Sequence, residues 1–270
     1  MKTVHAIPEE LICEILHLAL LIPEADFYDE QQRETRRVQR KHGVPPAAHI
    51  LLVCRKWVRI GEPSLYSALC IASRAHAHAV ADTFRVRAPA LARTVRHVRL
   101  DGGFGRELHD VLAPAVGVRT VYVSTMVAAA ESVVGLQRAL PALRPVRLHV
   151  YTCAADNGRR NANAKAIEGM LETMIRTCSS LEQIDFHPQL TMLSDVMVSA
   201  LMNASPSINA VSFDGYMLLN RFVRNALPLE MMLARNTHVK RIVCRRSGYF
   251  KSNLQYSRLS KVVKGVLDYQ

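Results

Sequence analysis

The chain has 270 residues, 49% of them hydrophobic, which is enough apolar material for a buried core in one large domain or two modest ones. Its formal charge is +12, with the excess concentrated at one end: residues 221–264 hold eleven lysines and arginines against one acid, Glu230. The six cysteines (Cys13, Cys54, Cys70, Cys153, Cys178, Cys244) form no CxxC or CxxH pair, so neither a zinc site nor a disulfide framework is expected, and no metal or other cofactor is indicated.

Ile7-Pro8-Glu9-Glu10-Leu11 predicts a helix start, because proline suits the first helical position and two glutamates complement the positive end of the helix dipole. Leu11, Ile15, Leu18 and Ile22 recur at helical spacing, with Ile12, Leu16 and Ala19 widening the stripe until Pro23 stops it. So wide an apolar face on so short a helix needs two neighbours or a partner. The run 11–22 is about half the length of a bilayer span and is preceded by acids, so neither a membrane span nor export is expected, and the reading is cytoplasmic or nuclear. Residues 23–48 are rich in arginine, glutamine and proline and read as an insertion. A second helix is expected through residues 50–58, closing at Gly61 with Pro63 behind it, and it carries Trp57, the only tryptophan.

Ile-Pro-Glu-Glu-Leu-Ile-x-Glu-Ile-Leu at 7–16, Leu-Leu-Val-Cys-Arg-Lys-Trp at 51–57 and Pro-Ser-Leu-Tyr at 63–66 together resemble the F-box, in the form common among fungal proteins. The resemblance implies a helical module over residues 1–67 that docks on the adaptor subunit of an SCF-type, cullin-based ubiquitin ligase. It implies one docking face from Ile7, Pro8, Leu11, Ile15 and Leu18, and a second from Val53, Cys54 and Trp57. The long 23–48 connection departs from the family, whose corresponding link is much shorter.

Behind this module an apolar-x-x-apolar-x-apolar pattern recurs, centred on Leu69, Val98, Val121, Val146, Ile184, Val211 and Ile242, at intervals of 29, 23, 25, 38, 27 and 31 residues. Helical patterns fill the intervals at 107–116, 127–140, 164–178 and 195–204, and the polar stretch 151–163 accounts for the long interval as a loop. This resembles a leucine-rich repeat. The fold class expected is therefore α/β: a small helical F-box followed by an irregular repeat solenoid over 68–270, with parallel strands alternating with helices. The family's asparagine or cysteine three residues beyond each strand is missing: Gly103, Met126, Tyr151, Gln189, Tyr216 and Ser247 stand there. The chain ends without an evident capping unit at 262–270.

Asp101-Gly102-Gly103-Phe104-Gly105 lacks the lysine and spacing of a phosphate loop and reads as a repeat turn, and His76 and His78 have no ligand-spaced companions. No nucleophile elbow, HExxH helix or RING-type array occurs, so a non-catalytic ligase subunit is the expectation, with chemistry on its partners. On the concave strand face the middle positions are Arg99, Tyr122, Arg147, Asp185, Ser212 and Val243, with His149 and His187 beside them. Arg99 and Arg147 would flank Tyr122 as a clamp for an acidic or phosphorylated protein substrate. The alternative is a nucleic-acid or anionic-surface binder acting through the basic end, where Tyr249, Phe250 and Tyr256 lie among the cations, against the plainer reading of a solvated repeat edge.

Overall fold

The structure is a computed structural model and describes residues 7–22, 47–125, 127–151, 161–187, 194–214, 226–245 and 261–269. Most of the 23–48 insertion and much of the basic end, including Arg221, Arg224, Arg246, Lys251 and Arg258, lie outside them.

Helix α1 (Glu9–Leu20) packs against α2 (Arg55–Ser67), with a 3₁₀ turn at Ala47–Val53 between them. Ile12, Leu16, Leu20 and Leu51 form a small core of their own, with Ile50, Trp57, Ile60 and Leu65 packed against it. Arg59 Nη2 donates to Glu9 Oε1 at 2.6 Å and ties the two helices at their rim. The second helix differs from expectation at both ends. It begins only after Cys54, whose extended backbone (φ −165°) breaks it from the preceding turn, and it continues through Gly61 and Pro63 to Ser67. Gly61 is a packing position and not a helix stop: a Cβ there would collide with Leu51 Cδ2 and meet Leu16 and Leu20 Cδ1 at 3.1 Å each. Close approach of α1 therefore outweighs the helix-ending signal of Gly-x-Pro, and Pro63 costs α2 one intrahelical hydrogen bond.

From Ala68 the chain builds a single all-parallel sheet of eight strands in sequential order, each bonded to the next. The strands are β1 (Ala68–Ile71), β2 (His97–Leu100), β3 (Thr120–Ser124), β4 (Arg147–Tyr151), β5 (Gln183–Phe186), β6 (Ala210–Asp214), β7 (Arg241–Arg245) and β8 (Leu267–Tyr269). Between them run α3 (Arg74–Asp82), α4 (Glu107–Leu112), α5 (Val134–Ala139), α6 (Ala162–Thr177), α7 (Asp195–Met202), α8 (Ala226–Arg235) and α9 (Lys261–Val266). One continuous core joins the strand residues to the helices, so each strand–helix unit is completed by its neighbours.

The register corrects one repeat and adds another. Leu69, Val98, Val121, Leu148, Ile184, Val211, Ile242 and Leu267 lie side by side, so the fourth unit is centred on Leu148 and not Val146. Pro145 is buried and takes the first apolar position of that unit, while Val146 is exposed. The turn position of the fourth unit accordingly moves from Tyr151 to Cys153, which lies outside the described residues. Strand β8 has no apolar-x-x-apolar-x-apolar signature, and only its pairing with β7 reveals it.

Ahead of β3 to β7 the same backbone joint recurs: the carbonyls of Arg96, Arg119, Val146, Glu182 and Asn209 each accept two successive N–H groups from the next unit. Three helices are shorter than their patterns, α7 by two residues and α4 and α5 by more. α4 stops at Leu112 although Ala113 keeps helical torsions (φ −58°, ψ −43°), because Pro114 has no N–H with which to continue the ladder. α5 starts at Val134 and not at 127, since the preceding turn is held by other bonds. Glu131 accepts the Gly103 N–H at 2.9 Å, and the Ala128 and Glu131 carbonyls accept Asn163 Nδ2 at 2.8 Å each.

Candidate functional site

Two surfaces carry the residues singled out by sequence. The first is α1, which has two distinct apolar faces. Ile12, Leu16 and Leu20 turn into the small core, whereas Ile7, Leu11, Ile15 and Leu18 form a separate stripe facing solvent, with Leu18 65% exposed. Pro8 precedes the helix and is exposed, and its carbonyl accepts the Ile12 N–H at 3.2 Å. Val53 and Cys54 are also exposed, at the break before α2. Trp57 differs from these: it is half-buried and packs against the small core, so most of its ring supports the module from inside. Leu21, Leu52 and Val58 are exposed as well, Leu52 at 76%, and sequence reading did not single them out.

The second surface is the sheet face opposite the helices. Cys70, Arg99, Tyr122, His149, Asp185, Ser212 and Val243 fall in one cross-strand row. Arg147 lies outside it, beside Thr120 and Gln183, so Arg99 and His149 are the direct neighbours of Tyr122 and the expected Arg99–Arg147 clamp does not form. The same two-residue register shift that moved the fourth repeat explains this, because it exchanges Arg147 for His149.

The expected exposure of this row is also corrected. Arg99 and Tyr122 are each only 1% exposed, and His149, Asp185, Ser212 and Val243 are buried, while Arg147 is partly exposed. Part of the reason is that the side chains satisfy and cover one another. Arg99 Nε donates to Asp101 Oδ1 at 2.8 Å, and the Tyr151 hydroxyl donates to the same oxygen. The guanidinium carbon lies 4.7 Å from the Tyr122 ring centre and 5.0 Å from that of Tyr151. Tyr122 in turn stacks on His149 at 5.4 Å and meets His187 edge-on at 6.3 Å. Asp185 receives Gln183 Nε2 at 2.8 and 3.0 Å and lies 3.5 Å from His149 Nε2 and 3.8 Å from Arg147 Nε.

Electrostatically the row is paired internally. Burial opposes the charge on Arg99, yet the charge and hydrogen bond of Asp101, joined by Tyr151 and Tyr122, together outweigh it and hold the guanidinium above its ordinary pKa. Burial, reinforced by Asp101, pushes the Tyr151 phenol up, so it remains a neutral donor. Two carboxylates and two guanidiniums in partnership make a polar layer that orders the sheet face, while the buried Ser212 Oγ in the same row has no hydrogen-bond partner among the described residues.

The glycine-rich turn after β2 is likewise filled from within. Gly102, Gly103 and Phe104 are buried, Phe104 and Gly105 take positive φ (47° and 66°), and a Cβ on Gly103 would meet the Ser132 carbonyl at 2.6 Å. Among the described residues no group of three or more His, Cys, Asp or Glu side chains is placed to hold a metal, and no helix is long and apolar enough to cross a membrane. Comparison with protein-family models gives no match, and no curated protein matches the chain.

Proposed function

We propose that the chain is a non-catalytic substrate adaptor of an SCF-type ubiquitin ligase: an F-box over residues 1–67 docks on the ligase adaptor subunit, and through it a cullin, while an irregular leucine-rich repeat holds a client protein. The observation that supports this most directly is the second apolar face of α1. A helix whose inner face already packs has no structural need for Ile7, Leu11, Ile15 and Leu18 in water, and exposed apolar stripes of this kind mark interaction surfaces.

In this reading the chain performs no bond chemistry. It raises the effective concentration of client lysines at a charged ubiquitin-conjugating enzyme, a gain of proximity and orientation. The test is co-purification with the ligase adaptor. Leu11→Asp and Leu18→Asp alter exposed side chains and leave the fold intact, so each is expected to abolish association with an unchanged circular dichroism spectrum. An unaltered chain that never associates, or aspartate variants that still do, would refute the proposal. Trp57→Ala is a weaker probe, because it also opens the small core.

A further inference from the structure

The strand-entry edge of repeats two to four carries Arg93, Arg96, Arg119 and Arg144, all exposed, and residues 93–97, 116–120 and 143–147 include no Asp or Glu. None of these four arginines meets a carboxylate among the described residues. The backbone joints set Arg96 and Arg119 on adjacent rows, with Val146 on the next: the Arg119 N–H donates to the Arg96 carbonyl at 2.8 Å, and the Val146 N–H to the Arg119 carbonyl at 2.7 Å. Rows so bonded lie about 4.8 Å apart. Exposed guanidiniums on adjacent rows repel one another, and an anion between them relieves the repulsion.

Two of the four are held in place. Arg96 Nη1 donates to the carbonyls of Arg93 (2.9 Å), Val95 (3.4 Å) and, in the next repeat, Gly117 (3.2 Å). Arg144 Nη1 repeats the arrangement on the carbonyls of Pro141 (2.8 Å) and Leu143 (3.2 Å). Both bonds run to the third and first preceding residues, which engages one nitrogen and leaves Nη2 and Nε without a hydrogen bond among the described residues. Gly117 makes room for the Arg96 guanidinium, since a Cβ there would collide with Nη1 and lie 2.9 Å from the Arg93 carbonyl. A guanidinium fixed in this way has already lost much of the freedom that anion binding would otherwise remove.

We infer that this edge is the client-binding surface and that it takes a short extended acidic segment of a protein. The row is short, because Glu182 occupies the equivalent position in repeat five and would repel a long polyanion tracking the edge. Val116 (79% exposed) takes the place of Arg93 in repeat three and Val146 (37%) that of Arg96 and Arg119 in repeat four, and residues 93–97, 116–120 and 143–147 contain no Phe, Tyr or Trp on which a base could stack. Alternating carboxylate and aliphatic side chains fit this pattern, with carboxylates on one side of an extended peptide about 7 Å apart. The inference rests on the adaptor reading for its biological meaning, but its chemistry is independent of it.

The test uses the full chain alone, with a fluorescein-labelled decapeptide of alternating glutamate and valine, read by anisotropy. Binding that weakens at least tenfold in Arg96→Glu/Arg119→Glu, and severalfold in Arg119→Glu, whose side chain makes no bond among the described residues, supports the inference. Unchanged affinity in these variants overturns it, as does tighter binding to a DNA duplex than to the peptide. Arg235→Glu, an exposed change on α8, is the control and leaves affinity unaltered. The adaptor subunit is absent from the assay, so peptide binding that survives Leu18→Asp supports this inference even where adaptor docking fails.

Discussion

The buried Arg99–Asp101 pair makes a quantitative prediction about what holds the polar face of the sheet. Arg99→Met keeps much of the side-chain volume but deletes the guanidinium, which is 1% exposed, and strands the Asp101 carboxylate, which is 12% exposed. Breaking one side of a buried pair costs about 3–5 kcal/mol. Loss of the contacts to Tyr122 and Tyr151 lies within that range. For a chain of this length the melting temperature should fall by roughly 6–10 °C, taking about 2 °C per kcal/mol. The second variant separates charge from packing. Arg99→Met/Asp101→Asn removes the stranded charge yet keeps an acceptor for the Tyr151 hydroxyl, and should recover at least about 1 kcal/mol of the loss. Urea unfolding followed by far-ultraviolet circular dichroism measures both. A single variant within about 1 kcal/mol of the parent, or a double variant less stable than the single, would refute an ion pair as the organiser of this face.

Gly61→Ala should loosen the N-terminal module by about 1–3 kcal/mol, because the added methyl has to displace Leu51, Leu16 and Leu20. Trp57 packs on that cluster and is the only tryptophan, so its fluorescence should report an earlier transition while the sheet transition stays in place. Cys244 is 2% exposed, and burial together with Asp268 pushes its thiol up to about 12. The folded state therefore keeps this proton while the unfolded state loses it above about pH 9, so stability is unaffected below pH 9 and falls by up to about 1.4 kcal/mol per unit between pH 9 and 12. Urea midpoints at pH 8 and 10.5 in the parent and in Cys244→Ala test this, and the variant should show a smaller pH slope.

Sequence and structure agree where the signal is local and periodic. Spacing of apolar residues over six positions located seven strands, six of them in register and the fourth two residues early, because a parallel strand backed by helices must present Val98 and Leu100, or Ile184 and Phe186, to one core. The apolar surplus of α1 was visible for the same reason, as one wide stripe through positions 11, 12, 15, 16 and 18; its division into an inner face (12, 16 and 20) and an outer one (11, 15 and 18) was not. Exposure of the outer face could be anticipated only as a surplus of apolar area, and packing decided which of the two faces met α2.

Where the readings part, the deciding forces act between residues distant in the chain. Whether Val146 or Leu148 centres the fourth strand is a choice of register, and pairing with Val121 and Ile184 makes it, not the segment's own alternation. Gly61 reads as a helix end until Leu51 and Leu16 are set against it. Arg99 reads as a solvent-facing cation until Asp101, Tyr122 and Tyr151 close around it. The amino-acid sequence alone thus determined the α/β alternation and the amphipathic start of the chain, because periodicity is inscribed residue by residue. Tertiary structure alone decided which polar side chains are spent on one another and which, like Arg96 and Arg119, are left facing water, because pairing depends on strands twenty or more residues apart coming into register.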